Sequence, residues 1–300
     1  MTQATLFVLD GTAALFRGYF GMGGVRAPDG LEVGGLLGLG LWVSRFLKEV
    51  RPTYVAAVMD TPQRTFRHVI AATYKANRPA PPADLLPQFP LAPRVVEALG
   101  VKAFQVPGYE ADDLMATLAR RGREAGVRTV LVSTDKDVTQ LVDDHVSVMD
   151  PRDFTVSGPA EVERRMGVPP SLVADLLALA GDSTDNVPGV KGIGTKTAVA
   201  LLRAMGSLES LFARVEEVSS LKLRGAASVQ RRLVEGREAA ELSLRLVRLH
   251  EGVPLPEGLK RLGNVRFRGP AEDAETIFER LGFHQPLRVV RALARRQAET

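Results

Sequence analysis

Three aspartates stand just after strand-like apolar runs: Asp10 after Thr5–Leu9, Asp60 after Thr53–Met59, and Asp135 after Arg128–Ser133, with Asp137 close behind. In an open α/β sheet, sites form at the carboxyl ends of strands, so acids distant in sequence can converge there. Glu110, Asp112 and Asp113 open a helix-like segment. The helix dipole favours acids in a first turn, so capping accounts for one or two of them. It does not account for acids at strand ends. Asp182 and Asp185, three residues apart, share one face of a helical turn. So many carboxylates raise one another's pKa values unless cations intervene. Divalent ions so held can clamp the attacking and leaving oxygens of a phosphodiester and acidify a bound water. Mg²⁺ takes few direct carboxylates, so several of these acids would act through water.

The segment Val187–Ala198 carries Gly189, Gly192 and Gly194 with Lys191, Thr195 and Lys196. Small residues let backbone N–H groups approach a phosphate closely, and the following helix presents its positive end. Backbone contacts of this kind carry no base information. Gln63–Ala80 holds Arg64, Arg67, Lys75 and Arg78 and no acid. Its Phe66 and Tyr74 are candidates to stack on unpaired bases. Asn186–Gly206 carries +3, and Ser219–Arg237 carries +4 through Lys222, Arg224, Arg231, Arg232 and Arg237 against Glu235. Basic stretches between acidic motifs predict a phosphate-tracking surface around a metal site.

The absence of cysteine removes disulfides, thiolate nucleophiles and cysteine-ligated zinc. The four histidines, His68, His145, His250 and His284, are scattered, so the expected metal is a hard, oxygen-bound one: Mg²⁺ or Mn²⁺. No apolar run is long enough for a membrane span, and the start lacks signal-peptide features, so a cytoplasmic protein without membrane contact is expected. Nothing in the pattern suggests a coiled coil, and a monomer is expected.

Positioning these residues requires an α/β domain with a mostly parallel sheet. Strand-like runs at 5–9, 53–59, 101–106, 128–133 and 146–149 alternate with helical periodicity at 36–50, 95–99 and 110–126. Past Pro159 the pattern turns helical, at 172–180, 195–205, 226–236, 239–249 and 271–281, with an extended stretch at 253–265. Pro79–Pro93 contains six prolines and reads as an irregular connection. The expected division is a core at 1–158 with an arch at about 61–90, a helical region at 159–290 with its hairpin at about 186–206, and a tail at 291–300.

Six motifs occur in a family's order: Val8-Leu9-Asp10-Gly11 with Arg17; Thr65-Phe66-Arg67; Tyr74-Lys75-Ala76-Asn77-Arg78; Gly108 to Asp113; Ser133 to Asp137; and Gly181 to Asn186 leading into the glycine hairpin. The chain resembles the 5′-nuclease domain of bacterial DNA polymerase I and the related flap endonucleases, over residues 4 to 290. The resemblance implies a PIN-like α/β core, a helical arch over the active site, and a helix–three-turn–helix that grips duplex DNA. It implies metal-site roles for Asp10, Asp60, Glu110, Asp112, Asp113, Asp135, Asp137, Asp182 and Asp185. It implies that Lys75 and Arg78 engage the scissile phosphate, with Arg17 nearby and Tyr74 against a base. At the hairpin it implies a monovalent cation, K⁺. Met59 replaces a common Phe, the arch carries unusually many prolines, and both Asp182 and Asp185 are kept.

The expected function is metal-ion hydrolysis of DNA at 5′ ends, flaps or junctions, without sequence preference, including removal of RNA primers and repair flaps. Two competitors are a catalytically silent DNA-junction-binding module and a small PIN-like ribonuclease. The retained acids disfavour the first, and the hairpin with its long helical region disfavours the second.

Overall fold

The structure, a computed structural model, describes residues 4–298. β1 (Thr5–Asp10) runs directly into α1 (Gly11–Met22), and α2 (Gly34–Val50) leads to β2 (Tyr54–Val58). The short α3 (Phe66–Ile70) and α4 (Ala92–Ala98) precede β3 (Lys102–Phe104). α5 (Ala111–Glu124) returns the chain to β4 (Arg128–Val132), then β5 (Val146–Met149) and β6 (Val156–Ser157). Helices follow: α6 (Pro159–Met166), α7 (Val173–Ala180), α8 (Thr195–Met205), α9 (Leu208–Ala213), α10 (Ala226–Glu235), α11 (Arg237–Val247), α12 (Ala274–Leu281) and α13 (His284–Ala298).

The sheet order is β3-β2-β1-β4-β5-β6, parallel throughout except for the antiparallel edge strand β6. The chain winds from β1 toward β3 on one side and restarts at β4 on the other. The strand order therefore reverses between β1 and β4, where such sheets open a crevice. Register fixes which residues meet there: Asp10 lies beside Val58, and Leu9 beside Val132. Asp60 and Asp135, a few residues past those partners, leave the same edge as Asp10.

Alternation along the strands divides the core. Leu6, Val8, Ala56 and Val58 face a cluster containing Leu114 and Met115 of α5 and Leu177, Leu201 and Leu246 of the helical region. Leu9, Val55 and Ala57 face the opposite cluster, with Leu39 and Phe46 of α2, Val96 of α4 and Phe278 of α12. The C-terminal helices thus serve both faces: α5 and the region of α7 to α11 close one, and α12 and α13 return to α2 and α4 on the other.

Differences from the sequence reading have local causes. The sequence places no helix at 11–22, yet Asp10 caps one there by accepting from the Ala13 N–H at 2.9 Å. Residues 61–90 contain no arch helix; α3 has five residues, and turns and one 3₁₀ turn (Leu86–Gln88) make up most of the rest. From Pro79 onward the prolines remove donors and clash with preceding carbonyls, which stops helix growth there. The stretch 253–265 holds 3₁₀ turns at Glu257–Leu259 and Leu262–Val265. The tail expected from 291 is the second half of α13, while residues 299–300 lie outside the described residues.

α1 and α2 cross at glycines. A Cβ on Gly38 would sit 2.4 Å from Gly18 Cα, and one on Gly18 would sit 2.6 Å from the Gly35 carbonyl oxygen. Gly38→Ala should therefore force the helices apart and cost about 1–3 kcal/mol, as overpacking does. Urea unfolding of the variant reads the cost, and an unchanged midpoint would mean that the contact yields freely.

Candidate active site

The carboxylates fall into three touching groups. The first lies in the β1/β4 crevice. Asp10 is buried and accepts from the Ala13 N–H at 2.9 Å and the Ser133 hydroxyl at 2.8 Å. The Asp60 N–H donates to Thr12 Oγ1, and its carboxylate accepts from the Ala111 N–H at 2.8 Å. Asp135 accepts from the Asp137 N–H at 2.8 Å. Burial pushes Asp10 up to about 6, with Asp60 and Asp135 adding repulsion. Asp112 is raised well above the usual carboxylate range by burial, then by Asp135, Asp10 and Asp60. Four acids from β1, the end of β2, α5 and the end of β4 thus share one field.

The second group hangs on a cation. Lys136 donates to Asp182 at 2.5 Å and pairs with Asp137 at 3.0 Å. Burial pushes Asp137 up to about 6, with help from Asp135 and against Lys136. Asp182 ends below the usual range: burial opposes this, but Lys136 and the Thr184 N–H prevail. Sequence reasoning misses Lys136, because a lysine between two aspartates reads as solvated.

In the third group, Glu110 and Asp185 share Lys75, at 3.0 and 3.7 Å. Arg78 donates to Asp185, and the Tyr74 hydroxyl donates to Glu110 at 3.2 Å and Asp185 at 3.3 Å. Lys75 has φ +54°, a conformation that is costly for a side-chain-bearing residue. It is held there by its N–H donating to the Asp185 carbonyl at 2.9 Å and by Asn77 and Asn186, which donate to the Ser183 and Thr73 carbonyls. The segment expected to form an arch is therefore tied to the 182–186 loop.

Several residues expected at the site are engaged elsewhere. Arg67, expected to contact DNA, is 1% exposed. It forms a two-pronged pair with Asp113 at 2.7 and 2.8 Å and donates to the Leu246 carbonyl at 2.7 Å. Asp113, expected to be a metal ligand, also accepts from the Glu110 and His250 N–H groups, which leaves its fully buried carboxylate no free face. The two side chains brace α5 against the end of α11, and Arg67 also pairs with Glu110 at 3.5 Å. Tyr74 is buried with its hydroxyl engaged, so it offers no ring to a base. Arg17 lies over Trp42, 5.1 Å from the ring, with one buried guanidinium nitrogen lacking a hydrogen-bond partner; Asp10 is in its field. Arg64 is exposed.

The glycine hairpin lies between α7 and α8. Gly189 and Gly192 have φ +61° and +82°, which other residues adopt at a cost. The Gly189 N–H donates to Ser243 Oγ, and the Gly192 carbonyl accepts from Arg232 at 2.9 Å. Gly194, Thr195, Lys191 and Lys196 are exposed at the start of α8.

Among the described residues, no three acids or histidines close around one point tightly enough to enclose an ion unaided. The donor set nevertheless fits hard cations that keep water. It is all oxygen, ranging from buried (Asp10) to exposed (Asp60), and burial followed by repulsion from neighbouring acids pushes Asp10 and Asp137 up to about 6.

Residues 5–167 match the family model for the 5′-3′ exonuclease N-terminal resolvase-like domain, and residues 168–271 match that for the 5′-3′ exonuclease C-terminal SAM fold. A 5′-3′ exonuclease of Aquifex aeolicus is 34% identical over 247 residues, 82% of each chain. DNA polymerase I of Rhizobium leguminosarum is 37% identical over 273 residues, 88% of this chain but 26% of that protein. The chain therefore spans about a quarter of that relative. A solved structure of T5 5′-exonuclease with divalent metal ions (zinc) bound shares the fold, with TM-score 0.68 and 18% identity over 97% of this chain and 98% of that one. No described helix is long and apolar enough to cross a membrane.

Carboxyls that titrate higher when folded favour folding while protonated. Their contribution is complete below the ordinary value of 3.8 and fades as pH rises through about 6, the folded value for Asp10 and Asp137. In EDTA, Tm should therefore fall between mildly acidic and neutral pH, and Mn²⁺ should restore it. Asp112→Asn should flatten the fall and shrink the gain from Mn²⁺. A wild-type Tm that is indifferent to Mn²⁺ at neutral pH would contradict a cation-relieved cluster.

Proposed function

The chain belongs to the 5′-3′ exonuclease family, and from that premise we propose that it hydrolyses DNA at 5′ ends, flaps and junctions with oxygen-bound Mg²⁺ or Mn²⁺. The observation that carries this reading is the meeting of Asp10, Asp60, Asp112 and Asp135 in the β1/β4 crevice, where burial and then their mutual repulsion raise Asp10 and Asp112. These four would hold the ions, with Asp137, Asp182, Glu110 and Asp185 acting through water. Two or more bound cations would supply Lewis acidity and a water of lowered pKa.

The chain's own residues would do the rest. The hairpin's exposed Gly194, Thr195 and Lys196 would hold a duplex phosphate against the start of α8. Lys75 and Arg78 would leave Glu110 and Asp185 for the transferring phosphate and stabilise its developing charge. Arg17, with a free buried donor beside Asp10, would add positive field. Oxygen from water bonds to phosphorus, the bond to the 3′ oxygen breaks, and that oxygen takes up a proton. The products carry a 5′-phosphate and a 3′-hydroxyl. Any K⁺ at the hairpin would use carbonyls other than that of Gly192, which Arg232 occupies.

In this reading, residues 1–158 are the nuclease core and 159–290 the duplex-holding region. The protein works as a cytoplasmic monomer that removes RNA primers and repair flaps.

Cleavage of a 5′-flap DNA with Mg²⁺, with Mn²⁺ and with EDTA, alongside Asp135→Ala, tests the reading. We expect metal-dependent release of the flap and a loss of roughly 100-fold or more in the variant. Retained junction binding with no cleavage under either metal would make the protein a silent binding module. Lys75→Ala should lower kcat by about 10²–10³ and shift KM less, as loss of a charge-stabilising donor does.

A further inference from the structure

The basic stretch at 219–237 has no part in the chemistry above, yet it is built against the hairpin. Arg232 of α10 donates to the Gly192 carbonyl at 2.9 Å. The approach is close at two glycines: a Cβ on Gly192 would meet the mobile end of Arg232 at 2.7 Å, and one on Gly236 would meet Val190 at 2.7 Å and the Arg232 carbonyl oxygen at 2.9 Å. Between them lies a depression of about 490 Å³ lined by Lys191, Gly192, Arg232, Glu235 and Gly236. The hairpin and α10 thus form one surface.

That surface is positive where it is exposed. Lys191, Lys196, Lys222, Arg224 and Arg231 are all exposed, and among the described residues none has an ion-pair partner. Nearby acids are partly engaged: Glu216 accepts from Gln230 at 2.5 Å, and Glu217 pairs with Arg214 at 3.4 Å. Glu235 is the acid left in the depression. Val229 and Leu233 anchor α10 in the core, so its charges stand on a rigid helix. Within α10, the eight residues from Ala226 to Leu233 span about 12 Å at the helical rise per residue. Over about 12 Å, duplex DNA presents roughly seven phosphate charges.

We propose that α10 and the turn before it, through Lys222, Arg224 and Arg231, form a second phosphate-contact track continuous with the hairpin, lengthening the grip on duplex DNA. The proposal rests on the hairpin being a duplex-binding element. Its partner is the sugar-phosphate backbone of double-stranded DNA, read without sequence.

Binding of a blunt DNA duplex, measured by fluorescence anisotropy in EDTA over a series of salt concentrations, tests it. The full chain, a Lys222→Ala/Arg224→Ala/Arg231→Ala variant and a Lys191→Ala/Lys196→Ala variant are compared. The substituted side chains are exposed, and thermal melting checks that folding is unaffected. The first variant should lower the slope of log Kd against log salt by about 2–3, at about 0.9 for each phosphate that the protein ceases to neutralise. An unchanged slope there, with a reduced slope in the hairpin variant, would overturn the second track and leave the hairpin reading intact. Unchanged slopes in both would overturn the hairpin reading itself.

Discussion

Crowding of negative charge at one edge of the sheet governs the local architecture. Four acids in or near the crevice are fixed by an N–H from another part of the chain or the next turn: Asp10 by Ala13, Asp60 by Ala111, Asp135 by Asp137, Asp182 by Thr184. Such bonds favour the charged form and restrain the carboxylate without neutralising it. Lysine and arginine are the provisional counter-ions. Lys136 joins Asp137 and Asp182, and Lys75 with Arg78 joins Glu110 and Asp185. Around the crevice, burial and then repulsion from neighbouring acids push the Asp10 and Asp112 carboxyls upward.

The acids at the strand ends are legible in the sequence because a parallel sheet fixes direction: β1, β2 and β4 all deliver their last residues to one edge. The glycine hairpin is legible because several glycines beside lysines exceed what a simple turn requires. α1 is not, since Gly11, Gly18 and Gly21 weaken the helical pattern and the helix starts without a break after β1. The close packing of Gly18 on α2 that explains one of these glycines is a tertiary fact. The burial of Arg67, Asp113 and Tyr74 is not legible in the sequence for a related reason. A cation, an acid and an aromatic within charged motifs read as exposed, and burial becomes evident only when the partner is seen. For Arg67 those partners lie 46 and 179 residues away.

Residues 61–90 show how composition redirects a segment. With prolines limiting helix growth, the chain takes its order from outside. Asn77, Asn186 and the Lys75 N–H fasten it to the loop carrying Asp182 and Asp185. The cations proposed to meet phosphate are thereby positioned by acids remote from the strands, which they must eventually leave.

The Arg67–Asp113 pair also sets an order in time. Arg67 is stitched to the Leu246 carbonyl, and the Asp113 carboxylate takes the His250 N–H from 137 residues away. Contacts so distant form after local ones, because long loops must close first. Synthesis delivers the chain from its N-terminus. α5, which carries Glu110 and Asp112 at its head, therefore lacks its final anchor until residue 250 has emerged. A nascent chain could assemble its sheet early and still hold a loosely set crevice. In such a chain the assembled site is a late product, coupled to the arrival of the helical region that follows the sheet.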